Sequence, residues 1–408
     1  MKILYVGGMS GPLKDILSGK KEDEITHAAQ FFHVWHKLVQ RGHEVDFIVT
    51  SNFNEKTNIQ VDWFSEENIY ANIYDPASEA PSYRRIFRRI KRFIKLFYAT
   101  YKATKEHKYD FIYCMTYHEG IVGNIIANLR GIQCGMRSMG TMLYVDFQKY
   151  GKWGTALRRP IEFLMFRMKK EFIVMTDDGT NGDKVYEKWK PSPEKFRFCF
   201  WKTGIDIKSI KDVQSTIRIP KHDYLFFAAR FDSWKRHDRI LKILHLLHQE
   251  GLNIHLYLAG NVTYNNSYDD FKQLVQEYGL DEYVHFLGAI RQDDVKSLAY
   301  HAVANPLMYD VSNLGNVFFE TFSVGAIILG LNDGTLNEYL KDGVNGFLIE
   351  DEQHACKNIL NLLENIKLRG EMSRNAIDFA RKNFLSLDER FDKEVTLIEN
   401  VRRRKHGD

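Results

Sequence analysis

The amino-acid sequence predicts an α/β protein made of two doubly wound domains, each built on a parallel sheet. The chain has 408 residues, whereas a single hydrophobic core stops growing at roughly 250–300 residues. In both halves, short apolar runs rich in β-branched and aromatic residues alternate with helical patterns, which is typical of parallel strands joined by crossover helices. A polar stretch without sustained apolar periodicity, residues 204–221, separates the halves.

The first domain is predicted to cover residues 1–204. Its helical segments require a sheet that is covered on both faces, so its strands should be almost continuously apolar. Five runs meet this description: KILYV at 2–6, EVDFIVT at 44–50, FIYCMTY at 111–117, FIVMT at 172–176 and KFRFCFW at 195–201.

The second domain is predicted to cover residues 205–385 and to repeat the same plan. Residues 386–408 begin as an amphipathic helix and end basic. Because this segment has no sheet of its own, we expect it to pack back toward the N-terminal domain. The strands of the second domain are predicted at 224–229, 253–260, 283–289, 302–309 and 326–332.

Composition and charge exclude several classes of protein. The net charge of +4, from 57 basic and 53 acidic residues, is too small to indicate a nucleic-acid partner. The four cysteines form no C-x-x-C pair, which disfavours a zinc site or disulfides and indicates core residues in a reducing compartment. The N-terminal apolar run is too short for a signal peptide, and no run of about 18 apolar residues exists. We therefore predict a cytoplasmic protein.

Glu320 is the first candidate for a binding residue. The strand at 302–309 leads into a loop, residues 310–316, and then into a helix ended by Gly325. Ligands bind at the carboxyl ends of strands in open α/β sheets, where helix N–H groups point outward and can hold phosphate. Glu320 cannot complete a capping box, because Val317 stands three residues before it. A position on a solvated helix face remains the alternative.

The loop together with Gly315, Glu320 and Gly325 resembles the signature of retaining glycosyltransferases of family 4. Members of that family have the GT-B fold, in which two Rossmann-like domains face each other across a cleft. The resemblance implies that Glu320 holds the ribose hydroxyls of a nucleotide-sugar donor. The family motif has two glutamates eight positions apart; Glu320 stands at the second, and this sequence has Ser312 at the first. The resemblance also implies that five loop residues contact the diphosphate and sugar: Ser312, Asn313, Leu314, Gly315 and Asn316.

Arg230 and Lys235 follow the strand at 224–229 and have the spacing of the family's diphosphate-binding pair. When a glycosyl bond to a diphosphate breaks, negative charge grows on the phosphate oxygens, and fixed cations stabilise it. Arginine offers a bidentate fork and lysine a point charge. The alternative is a pair of solvated surface cations. The basic run that continues through Arg236, His237 and Arg239 is predicted to lie on the outer face.

Two further strand ends carry candidate residues. The resemblance implies that Ile290, after the strand at 283–289, offers its backbone to the donor base; a buried strand-end residue is the alternative. His118 ends the strand at 111–117 and resembles the family histidine that faces the donor sugar. It would position sugar hydroxyls rather than bind a metal, and a plain packing role is its alternative.

Residues 82–102 hold eight Arg or Lys and no acid, and form a cationic amphipathic helix. We predict an ordinary domain helix with its apolar arc on the sheet. Its basic face could still attract an anionic membrane surface, where lipid-linked acceptors are found. At about 100° per residue, the apolar arc contains Ile86, Ile90, Phe93, Ile94, Phe97 and Tyr101.

The expected reaction is a metal-independent sugar transfer from a nucleotide sugar to a glycan or lipid-linked saccharide, and the resemblance implies retention. The basic face of residues 82–102 could hold the chain at the inner membrane face. No nucleophile triad and no D-x-D at a strand end is present, so no cofactor is expected beyond the co-substrate. Two alternatives stay open. Ser312, and Met139 where many relatives have histidine, favour a catalytically weak binding or scaffold protein. A nucleotide-sugar epimerase of the same fold is the other alternative.

Overall fold

The computed structural model describes residues 1–8, 11–19, 29–51, 59–74, 82–262 and 267–406. They form two compact units. Unit 1 comprises Met1–Gly204 and Leu387–Asp408, and unit 2 comprises Ile205–Ser386. Both units are α/β and both have parallel sheets, which confirms the predicted fold class.

Unit 1 contains a seven-stranded sheet in which every pairing is parallel. The strand order is β3-β2-β1-β4-β5-β6-β7, so the direction of winding reverses between β1 and β4. Two of these strands, β3 and β5, were not predicted. The strands are β1 (Lys2–Gly8), β2 (Glu44–Ser51), β3 (Ile69–Tyr74), β4 (Phe111–Met115), β5 (Gln133–Ser138), β6 (Phe172–Asp177) and β7 (Arg197–Lys202).

Helices cover both faces of this sheet, and apolar clusters fill the space between the layers. The cores include Cys114, Cys134 and Cys199, which are buried as predicted, and Cys356 is buried in unit 2. The helices are α1 (Gly11–Leu17), α2 (Ala29–Gln40), α3 (Ser82–Glu106), α4 (Tyr117–Arg130), α5 (Leu143–Arg158), α6 (Pro160–Met165) and α7 (Gly182–Trp189).

Unit 2 repeats the winding of unit 1. Its strands form two groups, β10-β9-β8 and β11-β12-β13. A parallel bridge from Leu225 to Ala304 joins them, and the N–H of Phe226 donates to the carbonyl of Ala304 at 3.3 Å. The winding therefore reverses between β8 and β11. The strands are β8 (Tyr224–Ala228), β9 (His255–Ala259), β10 (Val284–Gly288), β11 (Asn305–Leu307), β12 (Ile328–Leu331) and β13 (Phe347–Ile349).

The helices of unit 2 pack around one large apolar cluster that includes buried Phe318, Phe319 and Phe322. A smaller cluster lies around Leu298 and Ala299. The helices are α8 (His237–Gln249), α9 (Ser267–Glu277), α10 (Gln292–His301), α11 (Asn316–Ser323), α12 (Glu352–Glu364) and α13 (Ile366–Asn383).

The last helix, α14 (Leu387–His406), belongs to unit 1. It packs on α2, and its residues Phe391, Val395 and Ile398 enter one of the apolar clusters of that unit. Helix α14 thus completes a core whose other members come from the first half of the chain.

A buried ionic network joins α14 to the sheet. Glu394 on α14 lies 3.2 Å from Arg137 of β5 and 2.8 Å from Arg390 of its own helix. Its carboxylate also accepts a hydrogen bond from Tyr113 of β4. Burial opposes ionisation of Glu394, but the charges of Arg137 and Arg390 and these hydrogen bonds together hold the pKa of its carboxyl below the ordinary value.

Helix α3 buries a different stripe from the one that was predicted. Its buried residues include Leu96, Thr100, Ala103 and Thr104, and the small side chains among them allow close approach to the sheet. The opposite stripe is exposed, with Phe87 74% and Ile94 61% accessible. The predicted packing of Ile90, Phe93, Ile94 and Tyr101 on the sheet is therefore wrong. Phe97, from the same predicted arc, is partly buried against an apolar cluster of unit 1. The side chain of Ile86 lies outside the described residues.

None of the helices in the described part of the chain combines the length and the hydrophobicity that a bilayer crossing requires.

Candidate active site

The loops that follow β8 and β11 meet at the carboxyl edge of unit 2, where the winding reverses. Arg230 lies two residues beyond β8, and a 3-10 turn, Ser233–Lys235, follows it. The N–H of Asp310, beyond β11, donates to the carbonyl of Trp234 at 3.0 Å. The hydroxyl of Tyr309 donates to the carbonyl of Ala228 at 3.4 Å. These two bonds fasten the two loops together, at the place where α/β sheets bind ligands.

The two predicted cations, Arg230 and Lys235, have different surroundings at this edge of the sheet. The side chain of Arg230 is 61% exposed, and its Nη2 lies 2.7 Å from the carboxylate of Asp232. The Nζ of Lys235 lies 3.6 Å from the ring centroid of Tyr309 and 4.0 Å from that of Trp234. Aromatic faces hold an ammonium without neutralising its charge. Lys235 is therefore suited to phosphate as a point charge, whereas the exposed fork of Arg230 is shared with Asp232.

The basic residues after Lys235 do not lie on the outer face, and that prediction is wrong. Arg236 Nη1 is 2.9 Å from Asp310 Oδ1, and Arg239 Nη2 is 3.9 Å from the same oxygen. Both arginines therefore help to fix the β11 loop. His237 is buried, with its ring 4.1 Å from that of Phe231, and burial lowers its pKa to about 4.

The loop from Ser312 to Asn316 is shaped by its own side chains. Ser312 has a φ of 64°, which is uncommon for a residue other than glycine. Asn313 is fully buried. Its Oδ1 accepts from the N–H of Tyr309 at 3.1 Å, and its Nδ2 donates to the Tyr309 carbonyl at 3.2 Å and to Asp333 at 2.9 Å.

The side chains of Asn313 and Leu314 therefore serve the fold, since Leu314 is buried in the large apolar cluster. Their main-chain groups remain the candidates for contact with a ligand. Gly315 caps α11 in an extended conformation, and Asn316 is the first residue of that helix. The start of a helix favours negative charge through its N–H groups and its dipole, so the position suits a diphosphate.

Glu320 is neither a capping residue nor a fully exposed one. It is the fifth residue of α11, whose cap is Gly315, and it is partly buried. Burial raises the pKa of its carboxyl to about 6, while the charge of Lys296 and a hydrogen bond from Gln292 act in the opposite direction. At neutral pH this carboxyl is an anion next to a positive charge.

Lys296 and Gln292 were missed by the sequence analysis. They stand four residues apart on α10 and therefore share one face of that helix, and Lys296 is buried. Lys296 stands three residues before Ala299, on a side of α10 that packs against the small apolar cluster, and a lysine at such a position is the signal that would have found it. A buried lysine requires a partner of opposite charge, and Glu320 provides one.

Ile290 lies between β10 and α10 and is partly buried. Its side chain packs against the small cluster around Leu298 and Ala299, and so does Val317 of α11. Because both side chains pack against the same cluster, the predicted base-binding segment lies near the start of the helix that carries Glu320.

His118 lies in unit 1, apart in the chain from the other predicted site residues. It is the second residue of α4, directly after β4, and it is partly buried. Since β4 neighbours β1 at the point of reversed winding, His118 lies at the edge where ligands bind in sheets of this kind. The preceding Thr116 has a φ of 67°, so the turn that presents His118 is conformationally strained.

Comparison with known proteins finds a family model that matches part of this chain. Residues 210–379, all within unit 2, match the family model for glycosyl transferases group 1. The matched range includes Arg230, Lys235, Ile290 and Glu320. This match supports a transferase.

The chain is also similar to curated trehalose synthases. It is 23% identical over 171 residues to that of Pyrococcus horikoshii, covering 41% of each chain. It is 22% identical over 171 residues to that of Thermococcus litoralis, covering 41% of this chain and 42% of the relative. The matched segment thus spans about two fifths of the length of these relatives.

Among solved structures, the chain resembles sucrose-phosphate synthase from Thermosynechococcus elongatus, with a TM-score of 0.73 and 15% identity over 98% of this chain and 99% of that one. It also resembles Anabaena HepE, solved with UDP and glucose, with a TM-score of 0.66 and 15% identity over 97% and 99% of the chains. HepE has also been solved with UDP-glucose. These likenesses show the fold, and the predicted GT-B class of two Rossmann-like units is confirmed.

Proposed function

We propose that this chain is a retaining glycosyltransferase of family 4 that moves a sugar from a nucleotide-sugar donor to a glycan or lipid-linked saccharide. The observation that carries the proposal is the carboxyl edge of unit 2. There, Arg230 and Lys235 follow β8, the start of α11 follows β11, and Asp310 is hydrogen-bonded to Trp234 between them. All of these residues lie in the range that matches group 1 glycosyl transferases.

The phosphate end of the donor binds to the two cations and the start of α11. As the glycosyl bond breaks, its electron pair stays on the diphosphate oxygen, and negative charge grows there. Arg230 and Lys235 stabilise this charge more strongly in the transition state than in the ground state. The acceptor oxygen bonds to the anomeric carbon on the same face, and its proton passes to the leaving diphosphate. Retention of configuration follows from attack on that face.

The nucleoside end of the donor binds to Glu320 and to the main chain near Ile290. The ionised carboxylate accepts hydrogen bonds from the two ribose hydroxyls, and charge-assisted bonds of this kind are stronger than neutral ones. Lys296 and Gln292 keep the carboxylate ionised and oriented. The complexes of HepE with UDP and UDP-glucose support a donor of this chemical class.

Two positive side chains and a helix start supply the charge that a metal ion supplies in other transferases. We therefore propose that the transfer needs no metal. His118 is proposed to form hydrogen bonds to sugar hydroxyls, as the family resemblance implies. Ser312 offers a hydroxyl in place of the first glutamate of the family motif, so its contact with the donor sugar is a neutral hydrogen bond.

Helix α3 favours an acceptor that lies at a membrane. Its exposed stripe contains Phe87, Ile90, Ile94 and Tyr98, and Arg89, Lys91 and Lys95 are exposed on the same helix. Apolar side chains flanked by cations are the pattern of helices that lie on anionic lipid. We propose that α3 holds the chain at the inner membrane face, where lipid-linked saccharides are found.

A panel of nucleotide sugars tests the proposal. Thermal-shift measurements identify the donor, and detection of the released nucleoside diphosphate then shows turnover with a saccharide acceptor in the presence of EDTA. Analysis of the anomeric configuration of the product tests retention. A shift without any turnover would favour the binding or scaffold protein. A changed sugar without an acceptor would favour the epimerase.

A further inference from the structure

Three histidines gather at the edge of unit 2 that is opposite the candidate active site. His222 stands two residues before β8, His255 is the first residue of β9, and His285 is the second residue of β10. These strands are neighbours in the order β10-β9-β8 and are parallel. The amino ends of neighbouring parallel strands lie at one edge, about 4.7–4.9 Å apart, so the three imidazoles are brought together by the fold.

The three rings form a compact stack. The ring centroids of His222 and His255 are 3.8 Å apart, and those of His255 and His285 are 5.1 Å apart. His255 Nδ1 lies 2.9 Å from His285 Nε2. One nitrogen from each ring can be chosen so that all three lie within 4.8 Å of one another.

From these positions we propose that His222, His255 and His285 bind one divalent transition-metal ion of the zinc class. Imidazole nitrogen is a preferred ligand of zinc, nickel, copper and cobalt, whereas calcium and magnesium require oxygen. Bonds of about 2.0–2.1 Å in a tetrahedral site place ligand nitrogens about 3.3–3.4 Å apart. The separations in the cluster bracket this value, so small side-chain rotations bring the three nitrogens to it. Water completes the coordination, because His222 is exposed.

A neighbouring tyrosine orients the imidazoles of the cluster. Tyr257 fixes two of the rings: its hydroxyl lies 3.0 Å from His222 Nε2, and its ring stacks at 4.4 Å on that of His285. Partners of this kind orient metal ligands and sharpen affinity.

The ion would serve the fold rather than the transfer. Strands β8, β9 and β10 have five residues each, so the cluster is about 16 Å from the carboxyl edge at roughly 3.3 Å per residue. An ion held by His222, just before β8, and by one ligand from each of β9 and β10 cross-links the amino edge of the sheet. Binding to the folded chain alone then raises its thermal stability.

Titration of the tag-free, metal-free full chain with Zn²⁺ and Co²⁺ tests the site. We expect one ion per chain by calorimetry, visible absorption of bound Co²⁺ typical of fewer than six ligands, and a Zn²⁺-dependent rise in Tm. His255→Gln and His285→Gln should each weaken binding by more than about tenfold, since even loss of an outer partner costs that much. His301→Gln, on the exposed end of α10, is the matched control and should bind as the wild type does.

His222→Gln provides an independent variant, because this residue precedes β8 and is exposed. It should lose the Zn²⁺-dependent rise in Tm without a change in metal-free Tm. Absence of saturable binding, or binding unchanged in His222→Gln and His255→Gln, would overturn the proposal. Sugar transfer is measured separately, and its presence or absence leaves the metal result unaffected.

Discussion

Glu394 on α14 places its Oε1 3.2 Å from Nη1 of Arg137 on β5, although the two residues are 257 positions apart. Both side chains are almost completely removed from solvent. A buried charge is tolerated only when it is paired and hydrogen-bonded. The ion pair therefore adds a specific polar contact to the apolar packing of α14 on unit 1.

Glu394→Gln should lower the free energy of unfolding of unit 1 by about 3–5 kcal/mol, because it leaves Arg137 and Arg390 buried without a counter-charge. Urea denaturation followed by circular dichroism measures the loss. Glu399→Gln, on the same helix and paired with Arg41 and His43 where its side chain is 24% exposed, is the control and should cost less than Glu394→Gln, because water still reaches its carboxylate. Equal losses in both variants would contradict a special role for Glu394.

Glu320→Gln and Lys235→Ala should each abolish the thermal shift caused by the nucleotide-sugar donor. A donor at 100 times its Kd should stabilise the wild type by about 2.7 kcal/mol. Both variants should remain folded, because burial already disfavours the charge of Glu320 and Lys235 is partly exposed. Glu364→Gln and Lys242→Ala, exposed on α12 and α8, are the matched controls. Unchanged shifts in the site variants would place the donor elsewhere.

Donor affinity should depend on pH through Glu320. Its carboxyl has a pKa of about 6 in the folded chain against an ordinary 4.5, so the folded state holds a proton that the unfolded state has released between these values. The contribution of this group to stability therefore falls as pH rises through that window.

If the donor hydroxyls bind the ionised carboxylate, affinity changes in the opposite sense and falls as pH drops below 6. We expect binding to be about tenfold weaker at pH 5 than at pH 7, since one pKa unit is a factor of ten. Calorimetry of the wild-type chain across this range measures it. A flat profile in the wild type would exclude Glu320 as an anionic ligand.

Lys296→Met should shift that pH profile upward. The charge of Lys296 lowers the pKa of Glu320, so its removal raises the pKa and moves the midpoint of donor binding to higher pH. A role of Lys296 in packing alone would change affinity equally at every pH. Lys272→Met, on the exposed face of α9, serves as the control with an unchanged midpoint.

Removal of the exposed stripe of α3 should reduce membrane binding. The double variant Ile90→Ser, Ile94→Ser should lose most of its sedimentation with vesicles that contain anionic phosphatidylglycerol, while its Tm stays close to the wild-type value because both side chains are exposed. Leu157→Ser changes an 84% exposed residue of α5 and is the control. Failure of the wild type itself to bind such vesicles would rule out the lipid contact.

Local patterns predicted the fold well because strands that are buried on both faces are readable as apolar runs. They failed for β5, whose sequence QCGMRS contains Arg137, since the compensating Glu394 comes from the far end of the chain. The same reason hid Lys296, whose partner is on another helix. His237 looked like part of a basic run, but Phe231 lies over its ring.

The sequence predicted where the candidate site residues stand relative to strand ends, but not which groups their side chains contact. Arg230, Lys235 and Glu320 were identified because they follow strand ends, and the structure brings the β8 and β11 loops to one edge. The role of Asn313 could not be predicted, since an asparagine inside a loop can bind a ligand or its own backbone with equal chemistry. In the structure, its amide is hydrogen-bonded to the main chain of Tyr309 and to the side chain of Asp333, so it stabilises the loop.

The participation of α14 in unit 1 has a consequence for synthesis of the chain. Unit 2 is contiguous from Ile205 to Ser386, so all of its residues have left the ribosome before Glu394 does. Unit 1 is translated first, but Arg137 lacks its partner Glu394 until α14 has left the ribosome. We therefore expect unit 2 to fold before unit 1 in the nascent chain. Chaperones should be needed most for the incomplete sheet of unit 1.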